Sequence, residues 1–373
     1  MELSEITDNS FFLFSDRGRR RPFPAYITVC TWRNIEIVKG PERVGGVFAM
    51  KSFQEFCSEI AGQVEKQLGE GHETVLRSVQ KNNGVMMEGL LIRYQEAAVV
   101  PTIYMDPFYE QYCEGRTMEH IVADVVEIYK NNRVPFQKEL PLSYEDIKDR
   151  ILFRLVNLPL NREALLHMPH IEIGDLAVGF HWTVDTDDSR VGTVRVTDEQ
   201  AAVWGVSTEQ LTEIALRNTE RSLPPVLRRI EDVLTEILNG GDASGLEDAD
   251  EAERELLREE LNDEGARREF PMYVLSNSFS NGGAAALLEL PFLNRFREKI
   301  GEDFWILPSS IHEVILVPVS KLPDRNKLTQ MVREINRTQV PRQEFLSDVV
   351  YRFSEFTSLM PQHFREQLMA AAG

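Results

Sequence analysis

Apolar and polar residues alternate along this chain in a pattern that predicts short strands packed against amphipathic helices. Apolar side chains recur with helical spacing over Phe53–Leu68, and Ser52 with Glu55 forms a capping-box pattern at the start of this helix. Three runs with strand character follow it, at residues 73–79, 85–94 and 98–104. Asn83-Gly84 separates the first two runs and is typical of a hairpin turn. With two further helices, these elements predict an α+β unit over residues 50–135.

The middle and the end of the chain repeat this mixture. Two successive capping-box patterns predict two more helices, and they pair Thr197 with Gln200 and Ser207 with Gln210. Periodicity also predicts a helix over residues 226–238 and a strand over residues 284–290. The fold expected is α+β, with two mixed layers, mainly antiparallel strands and flanking helices. Its central unit would span residues 136–241 and its C-terminal unit residues 269–373.

The chain has an excess of acidic residues, and this excess argues against some classes of binding partner. There are 60 Asp and Glu residues against 41 Lys and Arg residues, a formal net charge of −19. Direct nucleic-acid binding is therefore unfavourable, because phosphate contacts need a basic surface. Acids are dense over residues 242–264, inside a segment (242–268) that we predict to be an acidic helix or linker. A solvated face explains this block, and the alternative is a surface for an unknown protein partner.

Cysteine usage and missing motifs indicate a reducing compartment and no bound cofactor. No apolar run approaches the roughly 20 residues of a membrane span, and the first residues lack the order of a secretory signal. The three cysteines, Cys30, Cys57 and Cys113, form no CxxC pair. We therefore expect a cytoplasmic protein that does not interact with membranes. No GxGxxG, GxxxxGK(S/T) or HExxH pattern occurs, so no cofactor is predicted.

The first 49 residues differ in composition from the rest. Residues 17–21 contain four arginines in an otherwise acidic chain, whereas Met50 directly precedes a well-formed helix start. Our hypothesis is that Met50 is the initiator and that residues 1–49 are a spurious or disordered extension. The alternative is a genuine basic N-terminal arm.

Polar residues between two apolar runs form the first candidate catalytic site: Ser309, Ser310, His312 and Glu313. Ser310 and His312 are two positions apart, so on an extended segment they share a face. A nucleophile with a nearby base suits a hydrolase-type enzyme. However, the chain has no Gly-x-Ser-x-Gly pattern, and a turn whose serine hydroxyls bond the backbone explains the same residues.

Two further sets of side chains suit ligands. Two imidazoles and a carboxylate that could hold a metal lie close in sequence: His167, His170 and Glu172. An aromatic and acidic patch that suits ligand binding lies at a strand-to-helix junction: Tyr104, Asp106 and Tyr109. Each set also has a structural explanation, because Asp106 suits a helix cap and Pro169 marks a loop between the histidines. No metal is therefore predicted.

Six short blocks carry a resemblance to other proteins: KNNGV at 81–85, PTIYMD at 101–106, PH at 169–170, WGV at 204–206, LPSSIHE at 307–313 and NRTQV at 336–340. Their order and spacing resemble a bacterial family of unknown function, number 5688, from about residue 50 to about residue 357. Residues 196–223 are also similar to part of another bacterial family without an assigned activity. The resemblance implies no catalytic residues and no reaction.

These features favour a non-enzymatic binding or regulatory module, because the structural signals are well formed and no catalytic set is complete. One alternative is a hydrolase-type enzyme with its site near Ser310 and His312. Another alternative is an acidic mimic of nucleic acid, which rests on the charge of the chain alone.

Overall fold

The computed structural model of the 373-residue chain describes residues 10–12, 14–15, 27–31, 51–95, 99–131, 143–187, 190–238 and 271–370. The acidic block at 242–264 and the arginines at 17–21 lie outside these residues. So does Met50 itself, and the hypothesis about residues 1–49 stays a prediction.

Fifteen strands and twelve α-helices lie within the described residues. The strands are β1 (Ser10–Phe12), β2 (Phe14–Ser15), β3 (Ile27–Thr31), β4 (His72–Gln80), β5 (Met86–Tyr94), β6 (Val99–Tyr104), β7 (Ile151–Asn157), β8 (His170–Ile173), β9 (Leu176–Asp187), β10 (Arg190–Arg195), β11 (Pro225–Arg229), β12 (Tyr273–Asn277), β13 (Phe304–Leu307), β14 (Val314–Pro318) and β15 (Tyr351–Arg352). The helices are α1 (Phe53–Leu68), α2 (Asp106–Cys113), α3 (Met118–Asn131), α4 (Tyr144–Ile147), α5 (Leu158–Leu165), α6 (Asp198–Trp204), α7 (Thr208–Ser222), α8 (Ile230–Leu238), α9 (Leu290–Ile300), α10 (Arg325–Gln339), α11 (Phe353–Leu359) and α12 (Gln362–Ala370). None of these helices combines the length and the apolar character that crossing a bilayer requires.

The first sheet has the strand order β1-β3-β6-β5-β4, and all its pairs are antiparallel. The predicted hairpin is confirmed, since β4 and β5 pair along their whole length around a turn at residues 81–85. Helices α1 and α3 supply a separate apolar core, in which Phe56, Ile60 and Val125 are fully buried. The backbone of β3 pairs with β6, so part of the N-terminal segment lies along this sheet.

The second and third sheets share one large apolar core. The second has the order β2-β10-β9-β7 with β8 also paired to β9, and the third has the order β11-β12-β14-β13-β15. Buried residues of both sheets and of α7, α9, α11 and α12 belong to the same cluster, in which Phe153 of β7 meets Phe364 of α12 edge to face. The α+β class with mainly antiparallel strands is therefore confirmed.

Capping-box patterns in the sequence correctly predicted where three helices begin. Capping boxes are present at Ser52, Thr197 and Ser207, and the helices begin one residue later, as predicted. Two other predictions were wrong. The first four residues of the predicted helix at 226–238 belong to β11, because they pair with β12. The predicted strand at 284–290 is instead a 3₁₀ helix, Gly283–Leu288. This helix begins close to β12, where a Cβ at Gly283 would lie 2.1 Å from Ser276 Oγ, so only glycine fits at position 283.

Candidate functional site

The second sheet has one apolar face and one polar face. Phe153, Phe180 and Val194 point into the shared core, so the residues that follow each of them point the other way. These are Arg154 on β7, His181 on β9 and Arg195 on β10. Arg195 lies directly opposite His181, and Arg154 lies directly opposite Gly179 on β9. Three neighbouring strands therefore bring two guanidinium groups and an imidazole to the same face.

Gly179 stands in the middle of this polar face, directly opposite Arg154. It is buried, and it lies between His170 of β8 and Arg154 of β7 in the sheet. Yet a Cβ atom built there would approach no described heavy atom closer than Met168 Cε, at 4.0 Å. The neighbouring row of the same face is closed, because Ala177 packs against Leu158 and Leu165 of α5. Gly179 thus lies in the row next to the one that α5 covers.

Two loops bring further ionisable side chains to Arg154. One loop follows β13 and carries Ser310, His312 and Glu313, and the other follows α10 and carries Glu344. The loops are joined by a β-bridge between Ser310 and Phe345. His312 Nε2 lies 4.0 Å from Glu344 Oε1, and His312 Nδ1 accepts a hydrogen bond from the Gly282 N–H at 3.2 Å. We call Arg154, His181, Arg195, His312, Glu313 and Glu344 the charged cluster.

The cationic members of the charged cluster produce a positive local field. Burial, and then the neighbouring charge of Arg195, lowers the pKa of Arg154 to about 10, and Glu344 only partly offsets this. Burial, followed by the charge of Arg154, lowers the pKa of His181 to about 3. The same two causes lower the pKa of His312 to about 4. At neutral pH both imidazoles are therefore neutral, while both guanidinium groups keep their charge.

The two carboxyl groups of the cluster are shifted the other way. Burial raises the pKa of Glu313, although a hydrogen bond from Ser310 opposes the shift. Burial and the charge of Glu313 raise the pKa of Glu344, and Arg154 opposes this. Ionisable groups that burial shifts so strongly, and that do not belong to the apolar core, are typical of functional sites. The arrangement can bind an anionic group at its arginines and exchange a proton at its carboxyl groups.

The first predicted catalytic set lies at the edge of this cluster. Ser310, His312 and Glu313 come together, but Ser310 Oγ accepts a hydrogen bond from the backbone N–H of His312 and interacts with the Glu313 carboxyl group. The His312 imidazole instead faces Gly282 and Glu344. The structure does not bring the Ser310 hydroxyl to the His312 ring in a nucleophile–base pair. Ser309 contributes backbone hydrogen bonds to Leu307 and Leu346.

The predicted metal ligands do not converge. His170 Nε2 lies 3.8 Å from Glu172 Oε1, and His170 Nδ1 bonds the Met168 carbonyl oxygen at 2.8 Å. His167 is exposed at the end of α5. Among the described side chains, no group of three His, Cys, Asp or Glu residues is arranged to hold a metal ion.

The predicted aromatic and acidic patch is divided between separate packing contacts. The Lys81 ammonium lies 3.8 Å from the centre of the buried Tyr104 ring, and the Tyr109 hydroxyl donates to the Lys51 carbonyl at 2.9 Å. Asp106 does not cap α2, because the N-cap is Met105 and the Asp106 carboxylate accepts the Glu88 N–H at 3.0 Å. Asp106 thus joins α2 to β5, although its neighbour Pro107 does stand in the first turn.

The hairpin turn between β4 and β5 holds the loop that carries Glu344. Asn83 Nδ2 donates to the carbonyls of Arg342 and Phe345 at 2.8 and 2.7 Å, and Asn82 Nδ2 donates to that of Gln343 at 2.9 Å. Asn83 Oδ1 also accepts from Asn161 Nδ2 at 2.8 Å. One end of the first sheet is therefore fastened to α5 and to both sides of Glu344.

Four members of the charged cluster did not stand out in the sequence: Arg154, His181, Arg195 and Glu344. A usable signal was present, because three of them are single charged or imidazole residues between apolar neighbours, in Phe-Arg-Leu, Phe-His-Trp and Val-Arg-Val. In a strand with one apolar face, such a residue points to the opposite face. Glu344 carries no comparable local signal.

Comparison with known proteins gives a family and no activity. No curated protein and no solved structure matches the chain. The profile of a family described as "Family of unknown function (DUF5688)" matches residues 53–355. This match runs from the start of α1 into the first turn of α11 and includes every member of the charged cluster. The chain belongs to this family of unknown function, DUF5688.

Proposed function

We propose that this protein is a binding module, and not an enzyme, that holds a small ligand at the charged cluster. The observation that carries the proposal is the collection of six ionisable side chains from three strands and two loops on the face opposite the core. Burying charged side chains is unfavourable, and apolar residues at the same positions would avoid this cost in free energy. A ligand that interacts with these charges would explain why ionisable side chains occupy these positions.

The hydrogen bonds at His312 favour binding over nucleophilic catalysis. The ring nitrogen Nδ1 already accepts from Gly282, so the remaining N–H at Nε2 points toward Glu344. In this tautomer the imidazole is not a base for Ser310. The second candidate remains a hydrolase-type enzyme, for which the raised pKa of Glu344 beside His312 is the favourable observation, because a carboxyl group of this kind can act as an acid.

The compartment and the partner that we propose for this protein are inferred from its sequence. We propose a bacterial, cytoplasmic protein, and the exposed free thiol of Cys113 is consistent with a reducing compartment. The acidic block at 242–264 is the proposed contact for a protein partner, and no cofactor is needed for either interaction. Nucleic-acid mimicry by that block is the weakest of the three ideas, because it rests on charge alone.

Native mass spectrometry of the chain purified from its own host tests the binding module. We expect a wild-type mass that includes one small bound molecule, and we expect Arg154→Gln to lose it because a neutral amide cannot replace the guanidinium charge. Arg333→Gln, at an exposed position on α10, is the matched control and should keep the molecule. A wild-type chain that carries no small molecule, or an Arg154→Gln chain that keeps it, counts against the proposal.

A further inference from the structure

We propose that the acidic block at 242–264 docks, within the same chain, on an apolar surface between α10 and the edge strand β11. We call this surface the α10 flank, and it consists of Met331 and Ile335 of α10, Val274 of β12 and Ile315 of β14. The inference goes beyond the binding function proposed above, because no residue of the charged cluster takes part. A protein partner of the acidic block would have to compete with α10 for it.

Helix α10 covers only part of one face of the third sheet. Four residues lie in direct register across this sheet and point to the same face: Leu307 of β13, Ile315 of β14, Val274 of β12 and Arg228 of β11. Leu307 is 4% exposed and belongs to the apolar cluster that α10 completes. Ile315 and Val274 are half-buried, and Arg228 is exposed. Exposure therefore increases from β13 toward the edge strand β11.

Apolar side chains of α10 lie on the side of the helix that faces this exposed part of the sheet. Val332 is buried, whereas Met331 and Ile335 are 39% and 42% exposed. Asn336 Nδ2 donates to the Ser347 carbonyl at 2.9 Å, so its side of the helix faces the segment that leads to β15, at the opposite edge of the sheet. At about 100° per residue, Met331 and Ile335 lie on the other side of Val332 from Asn336. They therefore face β12 and β11.

The acidic block is tethered next to this surface. The segment 239–270 begins at the end of α8, directly after β11, and it ends just before Met272, which packs against the apolar cluster under α10. Ten residues separate Leu261 from Pro271, and a chain of this length spans up to about 35 Å, whereas α10 is only about 22 Å long. The block can thus reach all of the α10 flank, at the high effective concentration that a tether provides.

Charge and apolar content are complementary between the two segments. Residues 321–342 contain six Lys and Arg against two Asp and Glu, in a chain with a net charge of −19. Arg325 forms an ion pair with Glu355, whereas the exposed Lys327, one turn before Met331, has none among the described side chains. The acidic block contains eleven Asp and Glu against two Arg, together with four leucines. Leucine side chains suit the apolar α10 flank, and the carboxylates suit the basic residues beside it.

Zero-length carbodiimide cross-linking of the full chain, followed by peptide mass spectrometry, locates the acidic block. We expect amide bonds between Lys327 and carboxyl groups of the block. Lys299 is the matched control, because it is exposed on α9, which packs on the opposite face of the same sheet. Lys299 should give about tenfold less cross-linked peptide, since only Lys327 lies beside the tethered partner.

A charge placed on the α10 flank tests the contact itself. Met331→Glu removes an apolar contact and repels the acidic block, and the exposed position of Met331 means that the variant should fold normally. Gln330→Glu adds the same charge at an exposed position of α10 that faces away from the flank, and it is the control. Trypsin cleavage at Arg254 and Arg258 should be about tenfold faster in Met331→Glu than in wild type, and close to the wild-type rate in Gln330→Glu.

The possible results separate the proposed contact from its alternatives. An equal mixture of isotopically labelled and unlabelled chains should give cross-links only within one chain, and mixed cross-links would show instead that the block docks on a second copy. Equal cross-linking of Lys299 and Lys327, or equal cleavage of Met331→Glu and wild type, rejects the α10 flank as the docking surface. None of these results depends on a ligand at the charged cluster, so the binding function stands or fails independently.

Discussion

Asn83 joins the first sheet to the rest of the molecule through hydrogen bonds of its buried side chain. Its side chain is 2% exposed and makes three hydrogen bonds to residues of α5 and of the loop that carries Glu344. Its φ of 59° lies in the left-handed region, which asparagine tolerates better than most residues. Sequence reasoning identified the turn correctly but assigned it only to the hairpin, because its partners are more than 70 residues away.

Replacing Asn83 by alanine should lower the free energy of unfolding by about 2–4 kcal/mol, since it leaves buried carbonyl groups unpaired and places a Cβ residue at positive φ without compensation. Asn83→Gly removes the same side-chain bonds without the backbone strain, so it should lose about 1 kcal/mol less. Urea unfolding of the three proteins measures both differences. Equal stability of Asn83→Ala and wild type would show that the amide bonds do not hold this joint.

At the scale of elements, helix α9 begins at a buried carboxyl group, Glu289, whose ionised form is destabilised. Glu289 occupies the N-cap position without a side-chain cap hydrogen bond, and it is 9% exposed. Burial, and then the charge of Glu220 on α7, raises the pKa of Glu289 from its ordinary 4.5 to about 7. The positive end of a helix normally stabilises a carboxylate, but here burial and a like charge have the larger effect.

The raised pKa of Glu289 predicts a loss of stability as pH rises. The folded state binds this proton more tightly than the unfolded state, so the contribution of Glu289 decreases between pH 4.5 and about 7 and is constant above that range. At pH 8, Glu289→Gln should be more stable than wild type by about 2–3 kcal/mol, with little difference at pH 4.5. Urea unfolding from pH 4.5 to 8 measures this difference, and Glu298→Gln, at an exposed position on the same helix, is the matched control. A difference that does not change with pH would contradict the assignment.

At the scale of the whole molecule, the central and C-terminal segments form one packed body around a common core. Phe153 of β7, Phe304 of β13 and Phe364 of α12 are each at most 1% exposed, although more than 200 residues separate the first from the last. The first sheet and its helices have their own core, joined to this body at the Asn83 turn and where β1 lies beside β10. Stability should therefore be shared between residues 143–238 and 271–370.

Phe364→Ala should lower the free energy of unfolding of this shared body by about 3–5 kcal/mol, because it leaves a cavity under α12 that the aromatic neighbours cannot fill. Hydrogen exchange monitored by mass spectrometry should show β7, β9 and β13 losing protection together, while α1 and β4 change little. Loss of protection confined to α12 would mean that this helix does not stabilise the rest of the shared core.

The sequence predicted those parts of the molecule that depend on near neighbours. The capping boxes at Ser52, Thr197 and Ser207 needed only residues three positions away, and all three were located correctly. Arg154, His181 and Arg195 become a cluster only through the pairing of three strands, which local patterns do not specify. The 3₁₀ helix Gly283–Leu288 likewise begins at a tertiary contact, the close approach of Gly283 to Ser276, which local patterns do not indicate.

The turn at Asn83 also has a consequence for the order in which the chain acquires its structure during synthesis. The β4–β5 hairpin can form as soon as its own residues have left the ribosome, but Phe345, which accepts from Asn83, is 262 positions further along. At about 5–20 residues per second, the Asn83 amide waits on the order of 13–50 seconds for its last partner. The first sheet is thus complete long before its attachment is, and a nascent chain held at this stage would expose the Asn82 and Asn83 amides as unused donors.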